Sequence, residues 1–98
     1  MGYEEEFDWE EIEKEIENAE EFTDDEGNRR KEIFLGTVFS LTPSGKYYTP
    51  YANSNVTEEE AAKDEEWWKD IENECEKRNL YITSGEGDPC DIIIGKVL

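Results

Sequence analysis

Trp9, Ile12, Ile16 and Ala19 recur at intervals of three, four and three in a segment whose other positions are nearly all acidic. That spacing is the one-sided stripe of an amphipathic helix. Phe22 extends the stripe, so the pattern predicts a helix from about residue 5 to residue 22. A stripe this narrow has to be covered by another layer of structure, which makes a two-layer domain the simplest solution. Thr23 to Asn28 reads as the turn that ends the helix, with Gly27 supplying the permissive backbone.

The period then changes from 3.6 to two. Ile33, Leu35, Thr37, Phe39 and Leu41 alternate with Phe34, Gly36, Val38 and Ser40, so Glu32 to Leu41 is expected as a strand apolar enough on both faces to be central. Pro43-Ser44-Gly45-Lys46 is a turn signal, and Lys46 to Thr49 would return as the second strand of a hairpin. After the loop from Pro50 to Val56, Thr57-Glu58-Glu59-Glu60 fits a capping box. It opens a second helix with Ala61, Trp68, Ile71 and Cys75 on one face and Trp67 beside them, ending near Lys77-Arg78-Asn79. Leu80 to Thr83 and Cys90 to Ile94 read as two more strands. The expected fold is α+β, in the order α-β-β-α-β-β, with two helices on one face of a four-stranded, mainly antiparallel sheet.

At 98 residues the chain is a single domain. Its 28 acidic and 10 basic residues give a net charge of −18, beyond the magnitude of about 2 to 8 that keeps a small domain soluble. The excess is uneven: residues 1–27 hold 14 acids and only Lys14, whereas residues 28–56 hold Arg29, Arg30, Lys31 and Lys46 against Glu32. An acidic helical arm, 1–27, thus precedes a core, 28–98. High-salt adaptation would explain acidity, but it favours Asp over Glu and disfavours Lys. Here Glu outnumbers Asp by 21 to 7, and seven of the ten bases are Lys. Nucleic acid and anionic membrane surfaces would be repelled. The partner expected is a basic protein surface, and the absence of a signal or membrane-spanning pattern points to the cytoplasm. Cys75 and Cys90 fit no metal spacing and read as small buried hydrophobes. Asn55-Val56-Thr57 matches a glycosylation sequon without a secretory context.

The chain has no histidine, which removes the usual general base, the commonest metal ligand and the Ser-His and Cys-His nucleophile designs. Paired carboxylates could serve a glycosidase, but among 28 acids some pair always falls at a suitable spacing. Glu86-Gly87-Asp88-Pro89-Cys90-Asp91 lacks the ligand alternation of a calcium loop, and Ser44-Gly45-Lys46 lacks phosphate-loop spacing. No enzyme activity, cofactor or metal is expected.

If residues 4 to 26 were helical throughout, they would span about 35 Å with one acid per about 2.5 Å. Duplex DNA carries one charge per about 1.7 Å over both strands, or about 3.4 Å per strand. Such a helix could occupy a cationic groove as phosphates do, with Glu10, Glu13, Glu17, Glu20, Glu21, Asp24, Asp25 and Glu26 as contacts. Glu-rich helix faces are usually just solvated, but like charges at i, i+4 relieved only by Lys14 disfavour an ordinary surface helix. The acidic face of the second helix, Glu58 to Glu72, is diluted by Lys63 and Lys69 and reads as solvated. A second candidate contact is the nearly uncharged patch of Tyr48, Tyr51, Asn53 and Asn55, suited to an adaptor that binds another protein.

The stretch Gly36 to Val56, the pair Trp67-Trp68 and the closing Gly85 to Ile92 resemble small acidic proteins of phages and mobile elements. The stretches that carry the resemblance make up about a third of the chain and leave out the acidic helix. It implies a setting in which small acidic proteins act as DNA mimics, such as anti-CRISPR or anti-restriction inhibitors of a host nucleic-acid-binding complex.

Overall fold

The computed structural model describes residues 2–46, 56–85 and 90–98. A 3-10 turn, Tyr3–Glu6, precedes helix α1, Trp9–Glu17. Strands β1, Glu21–Thr23, and β2, Arg29–Thr37, follow, then a one-turn helix α2, Val38–Leu41. The long helix α3, Glu58–Lys77, leads to strands β3, Tyr81–Ser84, and β4, Asp91–Val97. The sheet order is β1-β2-β4-β3 with every neighbouring pair antiparallel.

Both α1 and α3 lie on one face of this sheet. Trp9, Ile12 and Ile16 of α1 meet Trp67, Ile71 and Cys75 of α3 over Ile92 and Ile94 of β4. Trp67, Ile71, Ile92 and Ile94 are wholly buried. Trp67 lies at the centre, with Trp68 edge-on at 5.2 Å and Phe7 at 6.3 Å between ring centroids. The two-layer α+β architecture expected from the apolar periods is present.

α3 forms as its capping signal predicts: the Thr57 hydroxyl accepts from the Glu60 N–H, and the Glu60 carboxylate accepts from the Thr57 N–H, each at 3.1 Å. Its end is set by Asn79, which adopts φ 60. This left-handed conformation is one that Asn tolerates better than most residues, and it turns the chain into β3.

The first helix is shorter than its stripe predicts, ending at Glu17 instead of near residue 22. Long-range contacts explain the difference. Lys31 Nζ donates to the Glu17 carbonyl at 2.8 Å, placing a cation on the helix C-terminus, and Lys96 Nζ donates to the Glu17 carboxylate at 2.6 Å. Glu21 to Thr23 pair with Arg29 to Lys31 as a β-hairpin. The turn expected at Thr23 to Asn28 is formed, with Gly27 at φ 88, but it joins two strands and not a helix to a strand.

The strand expected from Glu32 to Leu41 starts earlier and stops at Thr37. A register shift between Phe34 and Gly36 places Leu35 opposite no β4 residue, a bulge that lets both Ile33 and Leu35 pack toward the helices. The Val38 N–H is bound to the Cys90 carbonyl, and the chain coils so that Leu41 folds back over Gly36. A Cβ there would stand 2.8 Å from Leu41 Cδ1. Phe39 and Leu41 are therefore helical and not strand residues. The first hairpin is β1–β2, and most of the strand expected at Lys46 to Thr49 lies outside the described residues.

Candidate functional site

Acid dominates the helical layer. α1 carries five acids in nine residues and α3 carries ten in twenty. At about 1.5 Å per residue, α1 is about 13 Å long and α3 about 30 Å, so each bears one acid per about 3 Å. Because α1 ends at Glu17, the 35 Å acidic rod that residues 4 to 26 would make if helical throughout is not formed. The long acidic element is α3, which the lysine content had marked as ordinary surface.

The sequence-predicted contact residues divide by what they touch. Glu10, Glu20, Asp25 and Glu26 are exposed, on α1, before β1 and in the β1–β2 turn. Glu13 faces Arg78, whose Nη1 lies 3.2 Å from its carboxylate while Nε holds Glu74 at 2.7 Å. The same guanidinium sits 5.4 Å from the Trp9 ring centroid, so Arg78 clamps α1 to α3. Glu17 binds Lys96. Glu21 accepts twice from Arg29, at 2.6 and 2.7 Å. Asp24 accepts from the Glu26 and Asn28 N–H groups at 2.9 Å, closing the turn, and from Arg30 Nε at 2.5 Å. These eight residues therefore do not share one helix face, and four of them hold the fold's own cations. Tyr48, Tyr51, Asn53 and Asn55 lie outside the described residues.

The ion pairs favour the charged form of the carboxyl groups that make them. The hydrogen bond from Lys96 holds the Glu17 carboxyl below its ordinary range, aided by the charges of Lys96 and Lys31. Glu21 is lowered mainly by the hydrogen bond from Arg29, and Asp24 by that from Arg30 and then by the Asn28 N–H. Glu60 is lowered first by its capping bond from the Thr57 N–H and then by Lys46.

What remains outward on the helical layer is a set of exposed carboxylates interspersed with Lys14, Lys63, Lys69 and Lys77, of which Lys63 pairs with Glu59 at 3.6 Å. Glu10, Glu11 and Glu15 stand on α1, and Glu58, Glu59, Glu65, Glu66, Glu72 and Glu76 on α3. The inward acids of α3 have structural work. Asp64 accepts from the Ser44 N–H and hydroxyl at 2.9 and 2.6 Å, and Asp70 accepts from the Tyr3 N–H at 3.1 Å.

The opposite face of the sheet is a second surface, which sequence reasoning missed. Cross-strand register puts Phe22, Arg30 and Val97 in one row, Glu32, Gly95 and Tyr81 in the next, and Phe34, Ile93 and Thr83 in a third. Arg30 stacks on the Tyr81 ring at 5.1 Å, and the Tyr81 hydroxyl donates to Glu32. Burial and that bond push the Tyr81 pKa up to about 12, against the opposing pull of Arg30. A shallow groove of about 570 Å³ runs here between Phe22, Asp24, Arg30, Glu32, Tyr81 and Ile93. The period-two pattern announced a strand with apolar residues on both faces; it did not show that the described helices cover only one.

Among the described residues, no cluster of acidic and cysteine side chains is placed to hold a metal ion, and no helix is long and apolar enough to cross a membrane. Cys75 is a buried free thiol and Cys90 is half-buried. Comparisons with protein-family models, curated proteins and solved structures return no match.

Proposed function

We propose that this protein is an acidic inhibitor that occupies a cationic nucleic-acid-binding site, with the outer face of the α1–α3 layer standing in for phosphates. The observation that carries the reading is the separation of roles among the carboxylates. Glu13, Glu17, Glu21, Asp24, Glu60 and Glu74 bind Arg78, Lys96, Arg29, Arg30 and Lys46 within the fold. Glu10, Glu11, Glu15, Glu65, Glu66 and Glu72 remain exposed on two helices of one layer. Folding does not require this surplus, and self-repulsion in a chain of net charge −18 opposes it. A groove lined with Lys and Arg would gain counterion release and steered encounter from such a surface, as it does from nucleic acid. The setting implied by the resemblance, a host defence or DNA-processing complex blocked by a small acidic protein, is of the same kind.

The test is capture of binding proteins from bacterial lysate at low and high salt, followed by competition with a short DNA duplex. Salt and duplex should both release the captured protein. Reversing Glu10, Glu15, Glu65 and Glu72 to Lys should abolish capture, because these side chains are exposed and none belongs to an ion pair among the described residues. Capture that survives the reversal, or that ignores salt and duplex, would remove the reading.

A further inference from the structure

We infer that the free edge of β3 receives an extended, basic segment of a partner protein, which adds to the sheet as a fifth strand. The inference does not depend on the phosphate-mimic reading.

Backbone phase is the first observation. The sheet order gives β3 a neighbour in β4 on one side and no described strand on the other. The Gly85 N–H donates to the Asp91 carbonyl at 3.0 Å, and the register sets Thr83 opposite Ile93 and Tyr81 opposite Gly95. Hydrogen-bonded and non-bonded positions alternate along an antiparallel pair, so Tyr81, Thr83 and Gly85 direct their backbone groups at β4. The N–H and C=O groups of Ile82 and Ser84 therefore point outward, a row complementary to the edge of another strand.

The second observation is that this edge carries none of the usual protection. Edge strands are normally blunted by charge, Pro, a bulge or shortness. The opposite edge, β1, is three residues long and carries Glu21, bound twice by Arg29. β3 reads Tyr81-Ile82-Thr83-Ser84, with no charged residue, no Pro and an unbroken register against β4.

The third observation names the occupant. A groove of about 360 Å³ runs beside the edge, between α3 and β3, lined by Cys75, Leu80, Tyr81 and Ile82 with Glu72 and Glu76 on its α3 side. Both carboxylates are exposed, and neither is ion-paired among the described residues. Lys69 stands one turn before Glu72 on α3, but among the described residues no Lys or Arg lines the groove. An added strand alternates its side chains, and those on the helix side enter this groove. A Lys or Arg there lays its aliphatic stem on Leu80 and Ile82 and brings its charge to Glu72 and Glu76. Two copies of this chain joined at β3 would set the same carboxylates against each other, so the charge that attracts a basic strand repels a second copy.

Amide hydrogen exchange followed by NMR on the intact chain tests the inference, with a capped hexapeptide of alternating Lys and Val as the probe. Peptide at about ten times its Kd should slow exchange at Ile82 and Ser84 about tenfold, while Tyr81 and Thr83, already bonded to β4, change far less. Alternate amides of an added strand face the edge. N-methylation of the Lys amides or of the Val amides should thus abolish the protection in one case and spare it in the other. Ser84→Pro removes an outward N–H at an exposed edge position where Pro is tolerated, so circular dichroism should be unchanged and Ile82 should keep its free exchange rate with peptide present. Replacing Glu72 and Glu76 together by Gln should weaken binding severalfold, and a hexapeptide of alternating Glu and Val should not bind.

A Lys-Val peptide that protects neither amide overturns the proposal. Protection of both amides in the dilute free chain would show the edge already covered, and protection that grows with protein concentration would assign it to a second copy; either result overturns it. Binding that survives Ser84→Pro, or that both methylated peptides retain, is diffuse attraction to a chain of net charge −18 and overturns it as well. Equal binding of the Glu-Val peptide removes the basic occupant. Should Ser84→Pro disturb the fold, the pair of methylated peptides decides the matter on the unaltered chain. Ser84→Pro changes no charge, so capture that duplex DNA releases should persist in it, and the failure of one idea is distinguishable from the failure of the other.

Discussion

Replacing Ile16 with Ala tests whether the acidic N-terminal segment is folded onto the core in the free protein or only tethered to it. Ile16 is 1% exposed and sits among Trp9, Ile12, Ile71 and Ile94 in the buried cluster. Burying an aliphatic side chain of this size stabilises by about 1.5 to 3 kcal/mol, and the cavity left behind raises the cost of Ile→Ala to about 2 to 5 kcal/mol. Opposing terms are small: the like-charge pairs Glu11–Glu15 and Glu13–Glu17 cost a few tenths of a kcal/mol each, and Glu10–Lys14 offsets part of that. A loss of about 3 kcal/mol lowers the melting temperature by about 12 to 24 °C in a domain of this size, and the urea midpoint by about 1 to 3 M. The assay is urea unfolding followed by the fluorescence of Trp9, Trp67 and Trp68 in parallel with circular dichroism. A loss below about 0.5 kcal/mol, or an early transition confined to fluorescence, would show that α1 is not part of the cooperative unit. The Arg78 clamp and the Ile16 packing would then both be wrong.

Three further outcomes are expected. Asn79→Gly should leave stability unchanged or raise it by up to about 1 kcal/mol in thermal unfolding, because the left-handed φ of 60 suits Gly; a loss above that size would mean the Asn side chain is required. Because Glu17, Glu21, Asp24 and Glu60 have folded-state pKa values below their ordinary ones, the unfolded chain binds more protons there. Their contribution is complete above the ordinary carboxylate range and is lost as pH falls through the lowered values, so urea titrations should show stability declining on the acid side of about pH 4. A midpoint indifferent to pH in that window would contradict the pairs. Burial pushes the Cys75 thiol up to about 11, so at pH 8 a thiol reagent should label Cys75 only as fast as the chain opens, and rapid labelling in the native state would contradict its placement.

Legibility from sequence followed the range of the interactions involved. Thr57 and Glu60 are three residues apart, and their reciprocal bonds needed nothing beyond the local chain, so α3 was readable from its first turn. Gly27 was readable for the same reason, since its turn is closed by Asp24 and Asn28 close at hand. The period-two segment announced a central strand, and β2 does lie between β1 and β4. Its end was not readable, because the bulge at Leu35 and the Val38 bond to Cys90 depend on β4, more than fifty residues away in sequence. The acid surplus was plain as a count, but its assignment was not. Glu13 and Glu17 are bound by Arg78 and Lys96, partners that sequence distance hides.

The sequence by itself determined the two-layer α+β class, the buried stripe of α1, the capped start of α3 and a net charge that folding does not require. Apolar period and capping chemistry act within a few residues and survive any tertiary arrangement compatible with them. Only the tertiary structure decided that α1 stops at Glu17, which leaves α3 as the longer acidic helix, and that Phe22, Phe34 and Val97 share an open face. Each of these is set by strand register or by a charge pair between distant segments, and neither is encoded in local spacing.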